Sequence, residues 1–165
     1  MADLKATKTD PEHQLFDEID NVHAGMLGIE GSGSLQPMAP ELDRATKTIW
    51  FFARTSSDIA TAAAKPAARG LFVLVGKHHD YHACLTGQLE ERLDPAIRDR
   101  FWNSVVEAWF HKGKDDPELT MLALTLQRGH VWASTHSTLK FGWEIAKAQL
   151  NDKDPDVGVE LELQF

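Results

Sequence analysis

From Trp50 to Ser57 the chain reads Trp50-Phe51-Phe52-Ala53-Arg54-Thr55-Ser56-Ser57, an apolar strand that runs into hydroxyls ahead of an alanine-rich helix. Such a junction can bind a ligand with a flat ring and an anionic end. The strand edge offers backbone groups to a planar heterocycle, and the helix start offers free N–H donors and a positive dipole end to a phosphate. Ser56 and Ser57 add hydroxyls, and Arg54 adds a forked guanidinium. The plainer alternative is a buried strand followed by an ordinary serine cap.

Other residues invite chemistry less well. His78, His79, His82 and Cys84 are zinc- or copper-ligand types. Their spacing splits them between a turn and one strand face, so no metal site is expected, and Cys84 reads as a small buried hydrophobe. Gly113-Lys114-Asp115-Asp116-Pro117-Glu118 lacks the alternating oxygen ligands of a calcium loop and reads as a charged, solvated connection. Gly31-Ser32-Gly33-Ser34 lacks a following Gly-Lys-Ser/Thr and reads as a hairpin tip. Five tryptophans, Trp50, Trp102, Trp109, Trp132 and Trp143, are many for this length, and so much flat surface suits a planar aromatic ligand or a large subunit interface. No side chain stands out as acid, base or nucleophile, so no catalytic residue is assigned.

These side chains need a scaffold, and hydrophobic periodicity outlines it. Residues 1–9 read as a frayed, disordered tail, residues 10–150 as one domain, and residues 151–165 as an extension or terminal strand. Asp10-Pro11 caps a helix to about Ala24. Gly25–Glu30 and Ser34–Ala39 form a hairpin. Thr46–Ala53 has bulky apolar residues on both faces, which requires a barrel interior on one side and a helix, ligand or subunit on the other. A short capped helix follows at Ile59–Ala64. Leu71–Val75 and Tyr81–Leu89 are strands, with Gly87 at a bulge or close approach. Ile97, Phe101, Val105 and Trp109 recur at steps of four after Asp94-Pro95, as in one long helix, the longest in the chain. Strands are expected at Thr120–Leu126 and His130–Ser134, separated by a turn at Gln127-Arg128-Gly129. A helix is expected at Phe141–Leu150, and a half-buried strand or dimer arm from Val157 to Phe165. The sum is a mainly β, α+β fold: an antiparallel split barrel of six to seven strands with appended helices.

Composition narrows the partners. In 165 residues, 17 Lys plus Arg stand against 25 Asp plus Glu, a net charge of −8 that repels phosphate backbones and anionic lipid surfaces. No nucleic-acid or membrane partner is expected. A start without a signal-like apolar run and a single cysteine point to a cytoplasmic chain.

Particular residues now carry a resemblance. Pro37-Met38-Ala39-Pro40, Ile49-Trp50-Phe51-Phe52, Phe101-Trp102-Asn103 and the run from Ala108 to Leu119 resemble the general-stress-protein branch of the pyridoxamine-phosphate-oxidase-like, FMN-binding split-barrel family, over about residues 12–135. The resemblance implies a homodimer with flavin, FMN or alternatively FAD, in the cleft between subunits, and a flavin-dependent oxidoreductase of unknown substrate as the enzymatic activity, if there is one. It implies that Gln36, Pro37, Met38, Trp50, Phe51, Phe52 and Ala53 lie along the ring system and that Arg54, Ser56 and Ser57 hold the phosphate. It also implies that His82 approaches the cofactor and that the segment with Trp102 and Trp109 belongs to the partner's wall.

Three positions depart from the family pattern. Gln36, Ala53 and Ile59 stand where Arg, Thr and Lys are common, and each lost hydrogen bond to a charged group is worth about 1.5–3 kcal/mol, or roughly 10- to 150-fold in affinity. Arg54 and Arg69 are the candidate replacements. A split-barrel dimer that has lost flavin and serves as a binding or scaffold protein is the alternative.

Overall fold

The computed structural model describes residues 2–134 and 158–165. The helices are α1 (Leu4–Thr9), α2 (Pro11–Asn21), α3 (Asp58–Ala63), α4 (Pro95–Phe101) and α5 (Ser104–Trp109). The strands are β1 (Gly25–Ile29), β2 (Leu35–Met38), β3 (Glu41–Asp43), β4 (Thr48–Arg54), β5 (Arg69–Val75), β6 (Tyr81–Glu91), β7 (Leu119–Ser134) and β8 (Gly158–Gln164). All described pairings are antiparallel, in the order β2-β1-β5-β6-β7-β4-β3, with β8 added to β7. The expected mainly β architecture is present: a curled antiparallel half-barrel with a few short helices.

Alternation decides what lies inside. Leu27, Phe51, Phe72, Leu74, Leu85, Leu124 and Val131 project inward and meet Leu15 and Ile19 of α2 in the main core. On β4 the intervening side chains project outward, and they too are covered: Trp50 packs with Met121, Ala123, Ile97 and Phe101, while Phe52 also meets Val106, Phe110 and Trp102. The two-faced apolar pattern of β4 thus has a barrel interior on one side and helices on the other. Gly87 marks the register shift between β6 and β7, and a Cβ there would lie 1.9 Å from the Thr125 carbonyl oxygen.

Four expectations need correction. Residues 4–9 are helical rather than frayed: Asp3 accepts the amides of Lys5 and Ala6, Thr7 is buried against Gln14, and the Ala2 amide donates to Asp80 at 2.6 Å. The long helix is two short ones, because the Asn103 side chain accepts the amides of Val105 and Val106 and starts α5 anew. The longest described helix is instead α2, at 11 residues. Gln127-Arg128-Gly129 is no turn; β7 runs 16 residues through it, and Gln127 is the extra residue of a bulge. Its carbonyl takes the Phe165 amide at 3.2 Å. The terminal segment is a half-buried strand, β8, while the helix expected at Phe141–Leu150 lies outside the described residues.

Candidate functional site

Where β2, the end of β4 and α5 converge, they bound a cleft of about 900 Å³. β2 contributes Gln36, Pro37 and Met38 from the end of the sheet, where its outer backbone edge has no strand partner among the described residues. β4 contributes Phe52, Ala53 and Arg54, and Ser57 follows as the cap of α3. α5 closes the opposite side with Val105, Val106 and Trp109, continued by Phe110. Trp109 is 65% exposed, a flat indole standing at the lip.

The cationic part of the lining is tightly organised. Arg54 forms an ion pair with Glu118, donates to the Trp109 carbonyl at 3.0 Å, and lies 5.7 Å from the Phe110 ring centroid. Ser57 accepts the Ala60 amide and donates its hydroxyl to the Arg54 carbonyl at 2.8 Å. Behind the arginine, the charged connection has a definite shape. Gly113, at φ 69°, opens a 3-10 turn to Asp115, and Asp116 then accepts the amides of Glu118 and Lys112 at 2.9 and 3.2 Å. The Glu118 amide, with that of Lys112, holds the Asp116 carboxyl below its ordinary range. Glu118 is therefore a placed residue, its carbonyl also accepting the Thr55 amide at 2.9 Å.

The other side of the lining is acidic. Asp20 and Glu41 both line the cleft, and Asn103 donates to Glu41 at 3.4 Å. Burial, reinforced by the nearby Asp20 charge, pushes the Glu41 carboxyl above its ordinary value. Asp20 itself is bridged by Arg44, which also holds Asp17. The cleft therefore offers a guanidinium and a serine hydroxyl on one wall, carboxylates on another, and apolar flat surface beside them.

Of the residues expected to contact a ligand, Gln36, Pro37, Met38, Phe52, Ala53, Arg54, Ser57 and Trp109 share this lining, Trp109 coming from the same chain as the others rather than from a partner's wall. Trp50 and Phe51 do not, because one is packed under α4 and the other points into the barrel. Ser56 is exposed beside the cleft, and Trp102 packs edge-on to Phe52 with centroids 6.0 Å apart. Arg69 is committed elsewhere, to Glu30 and Gln127, and does not line the cleft. The residues not anticipated are His23, Glu41 and Asn103 in the lining and Glu118 behind Arg54. An Asn three residues before a buried-type Val is a readable cap signal; the Arg54–Glu118 pairing spans 64 positions and has no local signature.

His82 lies on the outer face of the sheet, in a shallow pocket of about 350 Å³ with Trp132 and Glu160. Next to it His130 stacks on Trp132, centroids 4.0 Å apart, and meets Glu160 at 2.8 Å. Among the described residues no three His, Cys, Asp or Glu side chains gather to hold a metal ion. Burial pushes the Cys84 thiol up, away from nucleophilic character.

The family implied by the sequence brings a flavin, and the cleft fits one on two counts. Its volume lies within the roughly 300–1,000 Å³ of sites that bury most of a cofactor-sized ligand. Its donors suit a phosphorylated planar ring: an arginine and a serine for the anion, a free strand edge and apolar rings for the heterocycle.

Comparison with known proteins follows the same direction. Residues 10–156 match the family described as pyridoxamine 5'-phosphate oxidase like. A protein provisionally named general stress protein 26, from Jannaschia sp. CCS1, is 35% identical, with 94% of this chain and 99% of that chain covered and a TM-score of 0.80. A provisionally named general stress family protein from Xanthomonas campestris pv. campestris is 31% identical over 83% of this chain and 93% of its own, with a TM-score of 0.71. The general stress FMN/FAD binding protein of Xanthomonas citri is 30% identical over 78% of this chain and 93% of its own, with a TM-score of 0.70. A search of curated proteins gives no match.

Proposed function

The chain belongs to the pyridoxamine 5'-phosphate oxidase-like family, and from that premise we propose that it is a flavin-binding general stress protein. It holds FMN, with FAD as the second choice, in the cleft between β2, the end of β4 and α5. One observation carries this reading: Gln36 to Met38, Phe52 to Arg54, Ser57 and Trp109, drawn from three separate stretches of sequence, line a single cleft of about 900 Å³. A relative 30% identical is named for binding FMN or FAD.

In this reading Arg54 and Ser57 receive the phosphate. The β2 edge and Phe52 orient the ring, and Trp109 excludes water from its open side. When bound, the flavin supplies electron transfer, as in a flavin-dependent oxidoreductase, and the chain supplies position and hydrogen bonds. The functional unit is a homodimer with flavin at the subunit interface. Support for the second copy comes from the outer face of the sheet, where, among the described residues, Met26, Val75 and Trp132 are 39%, 43% and 38% exposed. No helix among the described residues is long and apolar enough to cross a membrane.

A flavin-free scaffold is the second reading, favoured by an Arg54 that already has a carboxylate partner. The visible spectrum of the purified protein, followed by titration with FMN, FAD and pyridoxal phosphate under tryptophan fluorescence, separates the two. Saturable quenching by FMN or FAD is expected. A colourless protein indifferent to all three ligands overturns the flavin reading.

A further inference from the structure

Arg54 is held from two directions with different consequences. The Trp109 carbonyl at 3.0 Å and the Phe110 ring at 5.7 Å are parts of the cleft wall, and neither competes for an anion. Glu118 does compete, since a carboxylate and a phosphate seek the same guanidinium fork. Glu118 does not line the cleft; it reaches Arg54 from behind. Its main chain cannot drift away, because the Thr55 amide binds its carbonyl and Asp116 binds its amide, each at 2.9 Å. Only the side chain can let go. The pair is open to solvent, with 44% and 59% of the two side chains exposed, so it is screened and exchangeable.

We propose that Glu118 is an internal competitor for the anion position of the cleft, so that the Arg54–Glu118 pair sets how strongly phosphorylated ligands are preferred over unphosphorylated ones. This rests on the flavin reading above. A phosphate entering beside Ser57 takes Arg54 from Glu118, while Trp109 and Phe110 keep the guanidinium aimed. Riboflavin carries no phosphate and leaves the pair intact. Glu118 thus lowers the affinity for FMN without touching that for riboflavin.

The test measures dissociation constants of FMN and riboflavin, by flavin fluorescence, for the full chain and for Glu118→Gln, Arg54→Ala and the double variant. Melting temperatures serve as the check that all four proteins fold. Glu118→Gln is expected to tighten FMN about 2- to 5-fold, in keeping with one exposed ion pair, and to leave riboflavin unchanged. Arg54→Ala is expected to weaken FMN, and the gain from Glu118→Gln to vanish in the double variant. Weaker FMN binding by Glu118→Gln overturns the proposal and makes Glu118 a positioning residue for Arg54. Equal changes for FMN and riboflavin also overturn it, since they signal a moved wall. Flavin binding that ignores Glu118→Gln overturns the competition but leaves the flavin reading standing, whereas no binding by any of the four proteins removes both.

Discussion

The two halves of β7 share one strand and differ on one face. From Leu119 to Leu124 six successive residues are buried, with β4 alongside and with α4 and α5 covering the outer side through Ile97, Phe101, Val106 and Phe110. From Arg128 to Ser134 burial alternates, β8 replaces β4, and the outer side chains His130 and Trp132 reach solvent. The same outward-facing rows continue across the sheet, through Val75, His82 and Trp132 in one register and Met26, Val73, Cys84 and His130, partly exposed, in the next. A strand covered on both faces positions a site rigidly. A strand covered on one face leaves an apolar surface for something else to cover. In the proposed homodimer, the first half supports the cleft that faces the other copy, and the second half adds apolar surface against that copy.

The largest expected effect comes from the joint between the halves. Gly87 faces the point where Gln127 enters as an extra residue, and its missing side chain lets the Thr125 carbonyl approach. A methyl group at 1.9 Å from a backbone oxygen cannot be relieved by a rotamer change, so β6 and β7 must separate. Gly87→Ala is expected to cost about 3 kcal/mol or more, at the upper end of overpacking penalties. Urea unfolding measures it. A loss within about 0.5 kcal/mol, the scatter of surface substitutions, would show that the two halves are not locked at this point.

A paired substitution then sets the halves against each other. Met121 is fully buried on the outer side of the first half, and Trp132 is 38% exposed on the outer side of the second. Met121→Ala removes packing against Trp50, Ile97 and Phe101 and is expected to cost about 2–4 kcal/mol at every protein concentration. Trp132→Ala is expected to leave the dilute chain almost as stable, and to raise the dimer dissociation constant about tenfold or more, as for an interface aromatic. Analytical ultracentrifugation across a dilution series, beside thermal melts, reads both. Identical, concentration-independent losses for the two variants would erase the distinction between a face covered by helices and a face covered by a second copy.

Much of this contrast was written locally. The four bulky apolar residues Ile49 to Phe52 demanded cover on both faces of β4, and Val159, Leu161, Leu163 and Phe165 showed the one-sided burial of β8. Gly87 stood out because glycine inside a strand usually marks a bulge or a close approach. What escaped were features that depend on partners distant in sequence. Gln127-Arg128-Gly129 looks like a turn until pairing with β6 absorbs Gln127 as a bulge within β7. Steps of four from Ile97 to Trp109 look like one helix, yet Val105 is 68% exposed, so no continuous apolar face exists for a single helix to bury. Residues 4–9 looked too polar to order, but Asp80, far along the chain, holds the Ala2 amide just ahead of them, and Gln14 satisfies Thr7. In the site, the β4 strand and the Ser57 cap were legible. The Glu118 partner of Arg54 was not, because only the folded sheet brings β4 and the start of β7 together.

The smallest expected effect lies at the acidic rim of the covered half. Glu41 sits opposite Trp50 in the β3–β4 register, and burial, with Asp20 adding repulsion, raises its carboxyl from the ordinary value of 4.5. A carboxyl whose folded pKa is raised binds its proton more tightly in the native state than in the unfolded chain. Its stabilising contribution is therefore complete below pH 4.5 and is lost as pH rises through the folded value. Glu18 on α2 shifts in the same direction, again chiefly through burial, while Asp43, held down first by the Thr46 hydroxyl, has the opposite dependence. The difference between wild type and Glu41→Gln isolates the one group from these. Because the site is half-buried and screened, the variant is expected to gain less than about 1 kcal/mol on wild type as pH rises from 4 to 7. Urea midpoints at several pH values resolve that trend. A variant that instead falls further behind as pH rises would mean that the ionised Glu41 is stabilised in the fold by Asn103, and that the covered half of the molecule tolerates charge as easily as the bare one.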